Sequence, residues 1–315
     1  MVLDFRAIAL ARMVMLCAVH KIRRGVMVER DFTSYREAFR TNGVVCLRDA
    51  IDPASLRMAE EAYNWSLGHP GPGASRFSQP DSSATFYQDL ANPNAIGAYR
   101  RMLEESPVAD VAAALWDTRN AWFMYEQVFL KEGGQSRRTP WHQDSSYLPI
   151  GGDMLAVMWI TFEAVAKEHS LEFVRGSHRG TLFDGSRFDA QDDTAPLYGD
   201  GSLPRLPNIE AERARWDIVS WAVEPGDVLV FHPGMLHGGA PTSPGTRRRT
   251  LSLRFFGDDA IYTPRSKGVL DEVRRERSPT TGEPRSVFLK LPETLKAGDP
   301  LRHPDFPKLR PRGES

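Results

Sequence analysis

From Trp122 onward the chain offers one strand candidate after another, with no convincing helix between them. The candidates are Trp122 to Lys131, Thr139 to Leu148, Met154 to Phe162, Leu171 to Val174, Ile218 to Val223, Val228 to His232 and Thr250 to Phe256. The last of these can begin as early as Arg247. Gly133-Gly134, Gly176-Ser177-His178 and Pro225-Gly226-Asp227 punctuate them as turns. With the earlier candidate Gly43 to Leu47 these make about eight strands, and the lack of helices between those after Trp122 points to an antiparallel sandwich or jelly roll. The first third reads differently. Asp52-Pro53, Asn92-Pro93 and Ser106-Pro107 each place a capping residue before a proline, the signature of a helix start. The expected architecture is therefore mainly β, with flanking helices.

Within the second strand candidate lies Pro140-Trp141-His142-Gln143-Asp144. In an extended strand, residues i and i+2 project to one face, so His142 and Asp144 should point together and Gln143 away. An imidazole and a carboxylate supply two ligands of a metal site, and His237 is the best third. Two His and one carboxylate on one face of a metal leave the opposite positions open, the arrangement of non-haem iron(II) oxygenases. Arg248 follows eleven residues later, and Thr250 and Ser252 share its strand face. A buried guanidinium there suits a dicarboxylate. Arg247 and Arg249 should face the opposite way, toward solvent. The other histidines are weaker candidates: His178 closes a Gly-Ser-His turn, His232 ends a strand, and His20, His69, His169 and His303 lack ligand context.

On the first strand candidate Phe123, Tyr125, Gln127 and Phe129 should share a face. With Trp159 they are expected either to wall a cavity or to fill plain core. Gln127, a lone amide among aromatics, calls for a hydrogen-bond partner. Arg137 and Arg138 could meet an anionic substrate or sit in a solvated turn. Residues 180–216 form a long polar excursion, read as a lid, a binding loop or a surface decoration.

Composition narrows the partners. Lys+Arg 40 against Asp+Glu 41 leaves a net charge of -1, so no basic field calls for nucleic acid. The two cysteines, Cys17 and Cys46, cannot build a disulfide framework, which fits a reducing cytoplasm. Cys46 lies in an apolar run and reads as a core thiol. The apolar run from Ala7 to Val19 is interrupted by Arg12 and is too short for a span of about 20 residues. It reads as a docked amphipathic helix, or as sequence ahead of a true start at Met27. The expected partition is an N-terminal extension over 1–30, one catalytic domain over 31–265 and a surface-wrapping tail over 266–315.

At these residues the chain resembles the phytanoyl-CoA dioxygenase family. The resemblance runs from about Asp31 to Asp259. Its most specific parts are Trp141-His142-Gln143-Asp144, the stretch Leu171 to His178, Pro225-Gly226-Asp227 and the stretch from Phe231 to Arg254. It implies a double-stranded β-helix, the jelly-roll or cupin-like fold. It also implies iron(II) on His142, Asp144 and His237, 2-oxoglutarate as co-substrate, dioxygen, and help from ascorbate. By the same resemblance Arg248 holds the distal carboxylate of 2-oxoglutarate, and Gln127 and Trp159 line its site. Some relatives carry a small hydroxyl residue two positions after the distal His. Here it is Gly239, so that contact is either absent or supplied by Thr250 or Ser252. Halogenating relatives lack the ligand carboxylate, and Asp144 is present, which favours hydroxylation of a small organic molecule. A jelly-roll isomerase or hydrolase that uses no 2-oxoglutarate, or a non-enzymatic binding module, are the alternatives. No membrane or nucleic-acid partner is expected.

Overall fold

The computed structural model describes residues 31–76, 85–132, 138–189, 191–243, 245–264 and 291–312. The chain divides into two compact units, Met1–Ser34 and Tyr35–Ser315. Of the first only residues 31–34 are described, where the Asp31 carboxylate accepts the Thr33 N–H. The apolar run Ala7 to Val19, Cys17, His20, the Gly133-Gly134 turn and Arg137 lie outside the described residues. No helix among the described residues is long and apolar enough to cross a membrane.

Among the described residues, four helices of at least nine residues come before or between the early strands: α1 (Thr33–Asn42), α2 (Pro53–Gly68), α3 (Ala95–Glu105) and α4 (Val108–Trp116). The strands run β1 (Val44–Leu47), β2 (Ser75–Arg76), β3 (Thr85–Leu90), β4 (Ala121–Glu132), β5 (Thr139–His142), β6 (Ile150–Gly151) and β7 (Leu155–Thr161). They continue as β8 (Leu171–Val174), β9 (Ile218–Ser220), β10 (Val228–Phe231), β11 (His237–Gly239), β12 (Arg247–Phe256), β13 (Ile261–Tyr262) and β14 (Lys308–Arg310). Helix α2 starts as the sequence predicts: the Asp52 carboxylate accepts the N–H groups of Ala54 (2.9 Å) and Ser55 (3.2 Å). The Asn92-Pro93 start slips by two residues. Helix α3 begins at Ala95, and the Asn92 side chain instead closes a turn by accepting the Asn94 N–H.

A large antiparallel sheet has the order β1-β10-β7-β12-β4-β3-β2, with β14 also on β4. A small sheet has the order β5-β11-β8-β9. This is the jelly-roll arrangement expected. The central strands β7, β10 and β12 are buried on almost their whole length, as strands covered on both faces must be. Toward the small sheet, Val157, Trp159, Leu229 and Phe231 pack on Phe173 and Met235. Cys46 lies at the edge of this cluster, and burial pushes its thiol up to about 11, out of reach of thiolate chemistry.

Three expectations change at the level of elements. The strand entering the motif stops at His142, and Asp144 begins a single 3-10 turn, Asp144–Ser146. The aromatic row on β4 is also broken. The register shifts between Arg254 and Phe255, so Tyr125 faces Arg254 while Phe123 comes opposite Phe255. A residue of β4 is skipped there, and the bulge turns Phe123 to the other side of the sheet. Residues 291–312, read from sequence as part of a surface tail, supply β14 and bury Leu291, Leu301 and Phe306 in a cluster with Trp122 and Phe256.

Candidate metal centre

β5 and β11 pair antiparallel with His237 directly opposite His142. Residues directly opposite in such a pair carry their side chains on the same face. The two imidazoles therefore stand side by side, ring centroids 4.2 Å apart. The 3-10 turn after β5 brings Asp144 back to them: its Oδ1 is 3.5 Å from His142 Nε2 and 3.9 Å from His237 Nε2. One ligand atom from each of the three lies within 4.8 Å of the others, and all three residues are buried. The face expected from strand alternation is thus achieved by a turn.

The backbone fixes which nitrogen is offered. His142 Nδ1 lies 2.8 Å from the Pro140 carbonyl and His237 Nδ1 3.0 Å from the Met235 carbonyl. A carbonyl only accepts, so each Nδ1 carries the proton and each Nε2 presents its lone pair to the centre. Burial and the neighbouring His142 bring His237 down to about 3, which keeps it in the neutral, ligating form. Burial alone would raise the Asp144 carboxyl, but the Arg254 guanidinium holds it well below the usual carboxylate range. Two neutral imidazoles and one ionised carboxylate are the donor set a divalent iron takes.

Arg254 is the residue that sequence reasoning passed over. It lies on β12, in the same alternating row as Arg248, Thr250 and Ser252. Its Nη2 donates to Asp144 Oδ2 (2.8 Å) and to Gln127 Oε1 (2.7 Å), so Gln127 has the partner expected of it. The guanidinium also lies over the Tyr125 ring, 4.5 Å from its centroid. A basic residue continuing the Arg248 row was the available signal.

The other end of this row is also cationic. Arg248 is buried, donates to the carbonyls of His169 and Ala240, and pairs with no carboxylate among the described residues. Burial lowers it to about 10. Lys131 stands directly opposite it on β4. Burial and the like charges of Arg248 and Arg138 hold the Lys131 ammonium well below its ordinary value. Thr250 and Ser252 come opposite Phe129 and Gln127 on one side and Thr161 and Trp159 on the other. These residues form one row on the face that carries Arg248. The hydroxyl nearest Gly239, however, is that of Thr139: a Cβ at position 239 would lie 3.1 Å from its Oγ1. Thr139 Oγ1 is also 3.4 Å from Lys131 Nζ.

The remaining candidates have structural roles. His232 accepts the Gly234 N–H on Nδ1 (3.0 Å), and burial lowers it to about 4. His178 and His169 contact the backbone at Arg40 and Pro241. His69 stacks on Trp65, and His303 sits beside Asp305. Arg138 pairs through Nη1 with Glu172 and Glu210 and lies over the Trp141 ring, so it does not sit in a solvated turn; its Nε and Nη2 are buried with no hydrogen-bond acceptor among the described residues. Arg247 is exposed and pairs with Glu132. Arg249 is largely buried between Glu60 and Glu163, against the expectation of a solvated side chain.

The excursion over 180–216 is tied to the motif itself. Gln143 donates to the carbonyls of Thr181 (3.1 Å) and Gly234 (2.8 Å) and accepts the Phe183 N–H (2.8 Å). Ser146 and Tyr147 donate to the carbonyls of Phe183 and Ser186, and Tyr198 donates to that of Ser146. The loop thereby sets Phe188 edge-on to His142, with 5.3 Å between ring centroids, and stacks it on Tyr147. Phe188 has φ 56° and is 43% exposed. A bulky residue in the left-handed region is strained backbone, held here beside His142 by the bonds that tie down the loop.

A sequence model of the family described as phytanoyl-CoA dioxygenase (PhyH) matches residues 39–249. The chain belongs to this family. Among curated members, the probable phytanoyl-CoA dioxygenase of Caenorhabditis elegans is 25% identical over 209 residues, 64% of each chain. The peroxisomal phytanoyl-CoA dioxygenase of Homo sapiens is 26% identical over 135 residues, 41% of this chain and 37% of that one. The matches therefore span less than two thirds of these relatives. Among solved structures, the epimerase SnoN in complex with Fe3+, alpha ketoglutarate and nogalamycin RO aligns with a TM-score of 0.61. It is 21% identical, over 87% of this chain and 97% of that one. The carbocyclase SnoK from nogalamycin biosynthesis aligns with a TM-score of 0.60 at 17% identity, over 88% and 96%. These likenesses establish the fold. The family match includes His142, Asp144, His237 and Arg248 and ends before Arg254.

Proposed function

We propose that the chain is an iron(II)- and 2-oxoglutarate-dependent oxygenase of a small organic molecule, with His142, Asp144 and His237 as the metal ligands. The observation that carries this reading is the pairing of a buried two-His, one-carboxylate set with a buried, carboxylate-free Arg248 on the facing sheet. A metal site alone would fit a hydrolase or isomerase. A desolvated guanidinium with no carboxylate partner among the described residues is suited to an anion, and a dicarboxylate co-substrate brings one.

When bound, iron(II) supplies dioxygen activation coupled to oxidative cleavage of 2-oxoglutarate into succinate and carbon dioxide. The chain's own residues do the rest. The Pro140 and Met235 carbonyls hold the imidazole tautomers, and Arg254 holds Asp144 ionised. Arg248 binds the distal carboxylate, with Gln127, Trp159, Thr250 and Ser252 along the co-substrate's length. Asp144 fills the ligand position a halide would need, which favours hydroxylation. Phe188, Tyr147 and the half-buried Phe129 exclude water from the reacting face. Release of succinate from 2-oxoglutarate, dependent on added iron(II) with ascorbate present and stimulated by a small-molecule pool, is the expected result. Absence of any metal-dependent binding or consumption of 2-oxoglutarate overturns the proposal.

A further inference from the structure

Arg254 has more donors than the protein uses. Its side chain is 6% exposed; among the described residues only Nη2 is hydrogen-bonded, to Asp144 and Gln127, while the guanidinium face lies over Tyr125. Nε and Nη1 are buried and have no acceptor among the described residues. Buried donors left unsatisfied are costly and uncommon, and a charged group makes the cost larger. The strand could have carried an apolar residue here, as its neighbours Leu253 and Phe255 do. Lysine would suffice to hold Asp144. A planar fork with two donors held in reserve beside a metal ligand is suited to a second oxyanion.

Charge points the same way. Asp144 is already paired by Nη2. A divalent metal on the triad would add positive charge next to a permanent cation, and the partner that relieves this is anionic. The metal-chelating end of a 2-oxo acid is a carboxylate, and chelation through one oxygen leaves the other free to accept.

Resting on the proposed function, we infer that Arg254 is a positioning residue with two clients. Through Nη2 it orients Asp144, and through Nη1 and Nε it receives the 1-carboxylate by which the 2-oxo acid chelates the metal. Arg248 and Lys131 serve the opposite carboxylate. The two ends of the co-substrate are thus read by cations six residues apart on one strand.

The test separates the ends with two acids. 2-Oxoglutarate has both carboxylates, and 2-oxobutyrate has only the chelating one. Binding of each to cobalt(II)-loaded protein is measured by titration calorimetry, without turnover, at saturating metal. Arg254→Met should raise both dissociation constants by a similar factor, roughly ten- to a hundred-fold for the loss of charge-assisted bonds. Arg248→Ala should raise only that for 2-oxoglutarate. Arg254→Lys keeps the charge and one bond to Asp144. It should retain cobalt affinity yet still weaken both acids, and it decides the matter if Arg254→Met does not fold. A purely structural Arg254 gives the opposite pattern in the lysine variant: cobalt affinity and both dissociation constants unchanged. Unchanged 2-oxobutyrate binding in a folded, metal-loaded Arg254 variant overturns the inference. That result differs from wild-type protein binding neither acid, which removes the proposed function and the inference with it.

Discussion

At the scale of single residues, the centre is defined by which atoms are free to bind. His142→Ala and His237→Ala each delete one Nε2 from a set of three; the fold should survive, although His237→Ala also removes a ring packed on Phe173 and Phe231 and should lower stability. Loss of iron binding by calorimetry with a retained circular dichroism spectrum is the expected outcome; full 2-oxoglutarate turnover by His237→Ala would place the ligand elsewhere. Arg248→Ala should raise the Km for 2-oxoglutarate by roughly ten- to a few-hundred-fold, since hydrogen bonds to charged groups contribute about 1.5–3 kcal/mol. Arg247→Ala should leave that Km alone. Arg249→Ala should also leave it alone while lowering stability, because it removes the partner of Glu60 and Glu163. A Km effect in either variant equal to that of Arg248→Ala would move the anchor. The triad of His142, Asp144 and His237, which the fold brings together, was legible in the sequence because its residue types and order carry the chemistry. Arg254 was not, because Asp144 was read as a strand residue and its need for a cation follows only from its burial.

At the scale of elements, alternation located the large sheet but missed what local turns do. Nothing in Thr139 to Leu148 announces that the strand ends at His142. The Gln143 side chain causes it, by bonding the backbone of two other segments and drawing the chain out of the ladder. The same bonds explain why the excursion over 180–216 is held down although it has almost no regular structure. Tyr147→Phe and Tyr198→Phe each remove one hydroxyl that donates to a backbone carbonyl. The double variant should exchange amide hydrogens in 183–199 at least several-fold faster, while β12 is unaffected. Equal protection in the two proteins would show that apolar contacts, and not these bonds, secure the loop. The hydroxyl beside Gly239 makes a similar point. Thr250 and Ser252 were the sequence choices because they share a strand with Arg248. Thr139 comes from another sheet, and only the pairing of β5 with β11 brings it there. Thr139→Val keeps the shape and deletes the hydroxyl. If this oxygen helps seat the distal carboxylate, the Km for 2-oxoglutarate should rise by a few-fold with iron affinity unchanged.

At the scale of the whole molecule, the sandwich is closed where β10 runs into β11, and His232 sits at that junction. Its backbone N–H donates to the Gly43 carbonyl, its Nδ1 accepts from Gly234, and its Nε2 lies 3.3 Å from the Gly152 carbonyl. The ring can serve as acceptor at Nδ1 only while neutral. Burial, the largest influence, and the nearby His178 lower it from 6.5 to about 4. In the unfolded chain the same ring takes up its proton near 6.5. Between these values the unfolded state binds more protons than the native state, so stability is full above about 6.5 and is lost as pH falls toward 4. At 1.36 kcal/mol per unit the loss reaches about 3 kcal/mol, a large share of the stability of an ordinary domain. Urea unfolding of the metal-free protein across this window should show that decline. His232→Asn offers an uncharged acceptor for Gly234 and has nothing to titrate. It should be less stable at neutral pH, for lack of the ring's packing, yet its stability should fall less steeply between pH 6.5 and 4. Parallel pH profiles for the two proteins would mean that His232 is not the group that makes the closed sandwich acid-sensitive.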